Sequence, residues 1–302
     1  MRPHRCQEEV QVFQESAPHP PPHAGDGRPG DAPGPAGGPP ATDRRLVRVG
    51  WFDLQVELRA GDPWRTPLLM FGGIGAALDV LGPLVDAIDA DVPVIRVDVP
   101  GIGGSPAAVP LPIPVLAGLM SELLDTLGHP EVDVLGYSWG GALAQQFALQ
   151  HAVRCRRLIL MSTNTGAVSV LPQPSVLASL LIPRSVPDAG AAARLDGLTL
   201  HEDLRTAIAG AAGGGAGTGT GWWGYLTQLG ALMAWSSLPF LPFLTQETLV
   251  ISGADDPIVP LVNARVLAET IPRATLAVVP GGHFGIVHEA PDLGARISRF
   301  LA

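Results

Sequence analysis

Ser138 stands in the run Gly136-Tyr137-Ser138-Trp139-Gly140, a serine with a glycine two residues to either side. The run follows the apolar stretch Val132–Leu135 and leads straight into Gly140-Gly-Ala-Leu-Ala-Gln-Gln-Phe-Ala, which has helical periodicity. A chain that turns this sharply from strand to helix holds the serine in strained backbone geometry, and the flanking glycines avoid Cβ clashes. Such a turn lifts the hydroxyl out of the sheet and points the free N–H groups of a helix N-terminus at the same spot. The chemistry on offer is nucleophilic attack by Ser138 Oγ.

A serine hydroxyl is barely ionised at neutral pH, so a base must take its proton. Leu276–Val279 reads as a strand, and Pro280-Gly281-Gly282-His283 sets His283 on the loop at its C-terminal end. His288 falls at the start of the last helical stretch, and the remaining histidines lie in the N-terminal segment or at helix and loop positions. His283 is therefore the expected base. The base needs a carboxylate to fix its tautomer and stabilise the imidazolium. Asp255 and Asp256 both follow the apolar run Leu249–Ile251, and the residues alone leave the choice between them open. Either gives the order Ser, Asp, His. The developing oxyanion needs N–H donors. One is the Trp139 N–H, next to the nucleophile; the other is expected from the glycine-rich loop Phe71-Gly72-Gly73-Ile74-Gly75.

The elements that must carry these residues are legible as alternating short apolar runs and helical stretches, the pattern of a mostly parallel sheet covered on both faces. Strands are predicted at Leu46–Val49, Leu54–Leu58, Leu68–Phe71, Val94–Val97, Val132–Leu135, Leu158–Met161, Leu249–Ile251 and Leu276–Val279. Helices are predicted at Leu78–Ile88, Val115–Leu127, Gly140–His151, Val262–Thr270 and Asp292–Leu301. The alternation breaks at about 164–244, which reads as a mainly helical insertion containing a glycine-rich tract at Ala211–Gly221. Residues 1–42 hold 10 Pro and 6 Gly and almost no large apolar side chains after Phe13, so they read as a disordered tail ahead of a domain at 43–302.

Composition removes several classes of function. Of 302 residues 46% are apolar, enough for a sizeable core, and the net charge of −9 comes without any basic run. Nucleic acid is not an expected partner, because a duplex-binding surface needs clustered cations. All 19 basic residues are Arg. Without lysine there is no Schiff-base chemistry, no pyridoxal phosphate anchor and no P-loop lysine. Cys6 and Cys155 cannot form a disulfide framework or a cysteine-only metal site. No apolar stretch is long enough to cross a bilayer and the first residues do not read as a signal peptide, which makes the cytoplasm the expected location.

The serine elbow, the residue order and the strand–helix alternation together resemble the α/β-hydrolase superfamily. That resemblance implies an eight-stranded, mostly parallel sheet with helices on both faces and a helical lid insertion. The superfamily's acid loop, G-x-x-D-x-x-x-P, matches Gly253, Asp256 and Pro260, which selects Asp256 as the orienting acid. The resemblance also makes Ile74 the second oxyanion donor and Asp98, in Asp98-Val-Pro-Gly-Ile-Gly-Gly-Ser105, an architectural residue. More narrowly, Leu68-Leu-Met-Phe-Gly-Gly-Ile-Gly-Ala76, Ser138-Trp-Gly-Gly-Ala-Leu-Ala-Gln-Gln-Phe-Ala148, Asp256-Pro-Ile-Val-Pro-Leu-Val-Asn-Ala-Arg265 and Gly224-Tyr-Leu-Thr-Gln-Leu229 resemble intracellular medium-chain-length poly(3-hydroxyalkanoate) depolymerases. Gly72 departs from that pattern, where asparagine is expected, and so does the glycine tract of the insertion. The resemblance implies ester hydrolysis with no cofactor and no metal. Its substrate would be a hydrophobic ester or polyester, met in the cytoplasm at a storage-granule surface. A general short-to-medium-chain carboxylesterase is the alternative, and a non-catalytic binding or granule-coat protein is the alternative of another class. Trp222, Trp223 and Tyr225 in the insertion, beside Trp235, Phe240 and Phe243, are candidates either for ordinary packing against the core or for a lid that grips an aliphatic acyl chain.

Overall fold

A computed structural model of the chain describes residues 41–106, 109–174, 176, 221–283 and 290–302. Most of the N-terminal segment, the glycine tract at 211–220 and His288 lie outside the described residues.

The strands are β1 (Thr42–Val49), β2 (Phe52–Arg59), β3 (Leu68–Phe71), β4 (Val94–Val97), β5 (Val132–Tyr137), β6 (Cys155–Met161), β7 (Glu247–Gly253) and β8 (Ala274–Val279). They form one eight-stranded sheet in the order β1-β2-β4-β3-β5-β6-β7-β8. The β1/β2 and β2/β4 pairs are antiparallel, and every pair from β4 through β3 to β8 is parallel. This is the mostly parallel sheet that the alternation of runs predicts, with the eight strands that the resemblance implies. Each predicted strand falls on an observed one. The first begins earlier than its apolar run, because Thr42–Arg45 pair with β2 through the backbone while their side chains stay exposed.

The helices are α1 (Gly82–Ala87), α2 (Ile113–Leu127), α3 (Trp139–Gln150), α4 (Gly221–Met233), α5 (Leu261–Thr270) and α6 (Ala290–Leu301). The stretch predicted as one helix over Leu78–Ile88 divides into a 3₁₀ turn, Leu78–Leu81, and α1. Pro83 lacks the N–H that would continue a single helix but suits the first turn of a new one.

Successive side chains on a strand point to opposite faces, so each interior strand feeds two cores. In β3, Leu69 and Phe71 join the core under α2 and α3, with Met120, Leu123, Leu143 and Phe147. Leu68 and Met70 face the other way, towards Leu84 of α1, Ile88 at its end, and Leu293 and Ile297 of α6. With both faces covered, the open ends of the parallel strands are where loops can gather functional groups. Among the described residues, no helix is long and apolar enough to cross a membrane.

Candidate active site

β5 ends at Tyr137 and α3 begins at Trp139, leaving Ser138 alone in the turn with φ 54° and ψ −119°. Positive φ is costly for a residue with a Cβ and persists only when its surroundings hold it there. Here the Ser138 N–H donates to Met161 O at 2.9 Å. The Ser138 carbonyl accepts from the Gly141 N–H at 2.9 Å and from Thr163 Oγ1 at 2.7 Å. The flanking glycines are steric necessities: a Cβ on Gly136 would overlap the backbone of Gly140 and Gly141, and one on Gly140 would overlap the carbonyls of Phe71 and Gly72.

The loop after β8 brings His283 to this turn. His283 Nε2 lies 2.9 Å from Ser138 Oγ, and Nδ1 lies 2.8 Å from Asp256 Oδ2. A carboxylate can only accept, so Nδ1 carries the proton and Nε2 is free to accept from the serine hydroxyl. Asp256 is buried, and its other oxygen accepts the Ile258 and Val259 N–H groups at 2.9 and 2.8 Å. Asp255 is exposed, with its backbone N–H bound to Gly281 O. Of the two neighbouring acids, only Asp256 reaches the histidine.

The β3 loop lies against the same turn: a Cβ on Gly73 would sit 3.6 Å from Ser138 Cβ. Trp139 is at the first position of α3, where a backbone N–H has no partner inside the helix. Among the described residues, the Ile74 and Trp139 N–H groups donate to no protein acceptor. The arrangement can deliver a hydroxyl to an electrophilic carbon and remove its proton, with the unengaged Trp139 N–H on the next residue.

Asp98 is remote from this chemistry. Its carboxylate accepts the Leu78 and Gly104 N–H groups at 2.7 and 2.9 Å, and its carbonyl accepts Ser105 Oγ–H at 2.6 Å. It closes the loop after β4, and burial pushes its carboxyl up to about 6 against the pull of those N–H groups.

The aromatic candidates of the insertion separate. Tyr225 is buried. Trp223, 53% exposed, lines a groove with Pro110–Pro114, Leu226 and Gly230, whose lining includes none of Ser138, Asp256 and His283. The side chain of Trp222 lies outside the described residues. Trp235 is buried, its indole N–H donating to Gln146 Oε1 at 2.8 Å, while Phe240 and Phe243 are exposed.

The roles of two residues went unread in the sequence. The Tyr137 hydroxyl, in the variable position of the serine motif, donates to the His283 carbonyl at 2.9 Å, with the two rings 5.3 Å apart. Gln228 of α4 accepts the Gly75 N–H at 2.6 Å through Oε1 and the Trp139 indole N–H at 2.9 Å through its main-chain oxygen. Both link residues far apart in the chain, and no local pattern announces them.

Residues 66–190 and 224–290 match the family model described as alpha/beta hydrolase fold. The chain belongs to the α/β-hydrolase family. Among α/β hydrolases it is similar to a poly(3-hydroxyalkanoate) depolymerase of Ectopseudomonas oleovorans, 39% identical over 85% of this chain and 92% of the relative. Of solved structures, the enol-lactonase of Burkholderia xenovorans LB400 is 25% identical, with a TM-score of 0.69 over 85% of this chain and 99% of that one. The 2-hydroxy-6-oxo-6-phenylhexa-2,4-dienoate hydrolase of Rhodococcus sp. RHA1 shares the fold at 18% identity and a TM-score of 0.71, covering 87% of this chain and all of that one. The protein is thus a hydrolase of the α/β family.

Proposed function

We propose that this α/β hydrolase cleaves carboxylic esters through an acyl-enzyme on Ser138, and that its substrate is medium-chain poly(3-hydroxyalkanoate) or its oligomers. The observation that carries the chemistry is the hydrogen-bonded chain Ser138–His283–Asp256 at 2.9 and 2.8 Å, mounted on a turn held at positive φ. Ser138 Oγ bonds to the ester carbonyl carbon as His283 Nε2 takes the hydroxyl proton, and Asp256 stabilises the imidazolium. The Ile74 and Trp139 N–H groups hold the oxyanion. Collapse of the tetrahedral intermediate breaks the bond to the alkoxide, which leaves with the proton from His283. Water then attacks the acyl-enzyme, giving its proton to His283, and the carboxylic acid departs as that proton returns to Ser138. No step calls for a metal or cofactor.

The substrate class draws its support from the 39% identity to a protein named as a depolymerase and from the apolar insertion. Such a polyester would be met in the cytoplasm at a granule surface. The likeness to an enol-lactonase at 25% identity favours a second reading, a small-ester hydrolase.

A fluorophosphonate probe followed by peptide mass spectrometry tests the chemistry, with one adduct expected, on Ser138. Incubation with medium-chain polymer then separates the two substrates. The depolymerase releases hydroxy acids, and its kcat/KM on p-nitrophenyl esters climbs from acetate towards octanoate, each buried methylene being worth up to ~0.8 kcal/mol. A profile peaking at acetate with no hydroxy acid released would leave the small-ester hydrolase.

A further inference from the structure

We infer that Gln228 is a positioning residue for the oxyanion site, which makes α4 part of the catalytic frame as well as part of the insertion. This rests on the serine-hydrolase reading above.

β3 and β5 are parallel neighbours with Phe71 opposite Gly136, so the loop Gly72–Gly75 and the turn Tyr137–Trp139 leave the sheet side by side. These two segments carry the two donor N–H groups, and neither hydrogen-bonds to the other through Gly75 or the Trp139 indole. Both of those groups go instead to Gln228. Its Oε1 takes the Gly75 N–H at 2.6 Å and its main-chain oxygen takes the Trp139 indole N–H at 2.9 Å. Gln228 is itself buried, so water does not readily stand in for it. One residue thus spans both halves of the site.

The helix that presents it has a defined seat. Gly224 lies one turn earlier, on the side of α4 that carries Gln228. A Cβ there would overlap the Gly101 carbonyl, so the α4 backbone rests directly on the loop after β4. That contact sets the height of the helix, and with it the reach of Gln228.

The bond to Gly75 matters because of what glycine permits. Gly75 holds φ 68° and has no side chain to oppose rotation of the peptide that joins it to Ile74. A buried N–H left without an acceptor pays its desolvation with no return, so without Gln228 the loop gains by turning to find another partner. The Ile74 N–H sits on the preceding peptide, between Gly73 and Ile74. A loop that shifts to give Gly75 a new partner must shift that peptide too to take the Ile74 N–H off the oxyanion, and Gly73 has no side chain to resist it. The donor would still be present but misdirected, and a misplacement of about 1 Å can cost about a hundredfold in rate.

The test uses Gln228→Met, which keeps length and volume but lacks the oxygen acceptor, and Gln228→Asn, which keeps the amide but falls short of Gly75. Each is measured with the full chain, per active site titrated by fluorophosphonate, so that unfolded protein does not count. The substrates are a p-nitrophenyl ester and its thionoester analogue, whose sulfur is a poor acceptor for oxyanion donors. Both variants are expected to lose about tenfold to a hundredfold in kcat with KM within about threefold. The oxo-to-thiono rate ratio should fall about tenfold as the donors lose their aim. A purely structural role would lower the titratable fraction or the melting temperature and leave that ratio unmoved, which would overturn the inference. Unchanged kcat in both variants, with Ser138 of the wild type labelled, would overturn it alone. A wild type without a Ser138 adduct would overturn the serine-hydrolase reading and this inference together.

Discussion

Helices α3 and α4 meet over the site, yet their glycines answer to different constraints. Gly140, in the first turn of α3, faces the carbonyls of Phe71 and Gly72 so closely that a Cβ has no room. Gly230, in α4, has nothing within 4 Å of where a Cβ would stand. The serine turn is backbone packed on backbone, with a positive φ that its neighbours hold in place. Beyond the contact at Gly224, α4 is fixed near the site by side-chain bonds at a few points, chiefly Gln228. A wall built that way can change sequence without moving the nucleophile. In this molecule Ser138 sits on the part with least slack, and the outer side of α4 has more.

The largest expected effect probes the rigid side. Asp256→Asn should lower kcat by about 10⁴-fold with little change in KM, because only the transition state forms the imidazolium. Asp255→Asn, one residue away but exposed, should stay within about threefold. Steady-state kinetics on one p-nitrophenyl ester decides it, and equal losses in the two variants would break the distinction between the acids.

Next come the two glycines themselves. Gly140→Ala should lose about 3 kcal/mol or more of unfolding free energy, since the overlapping atoms are backbone and cannot swing aside. Gly230→Ala should gain about 0.5–1 kcal/mol from helix propensity alone. Urea unfolding midpoints measure both, and a destabilised Gly230→Ala would show that α4 is as tightly packed as α3.

The smallest effect concerns the outer face of α4. Because the groove holding Trp223 includes none of Ser138, Asp256 and His283, Trp223→Ala should leave the slope of kcat/KM against acyl chain length within about 1.5-fold of wild type per methylene. A flattened slope, read from a p-nitrophenyl ester series, would mean that the acyl chain extends into this groove and that Trp223 grips it.

Much of the fold was legible because interior parallel strands are buried on both faces and read as unbroken apolar runs, as Leu68–Phe71 does. The edge was less so: Thr42–Arg45 belong to β1 through backbone pairing, which leaves no mark on side-chain polarity. The positions of Ser138 and His283, the proposed nucleophile and base, were legible because a serine turn and a glycine-bearing loop are local events. From the residues alone the acid was open between Asp255 and Asp256, and only the resemblance chose Asp256, because inward or outward is decided by where the following backbone turns. Here Ile258 and Val259 aim their N–H groups at Asp256. Gln228 and Tyr137 were silent, since each acts on a residue more than a hundred positions away.

The hydroxyl of Tyr137 changes what the serine motif means in this protein. In G-x-S-x-G the letter x is a blank, and a pattern search gives full marks to any occupant. Here that blank holds the carbonyl of the histidine loop, so His283 is moored to two consecutive residues, Tyr137 and Ser138, at the end of β5. A chain carrying phenylalanine in that place would match the motif letter for letter and still lose one of the moorings of its base. The spelling of the motif and its mechanics are separate properties, and in this molecule the second is partly written in a position the first leaves empty.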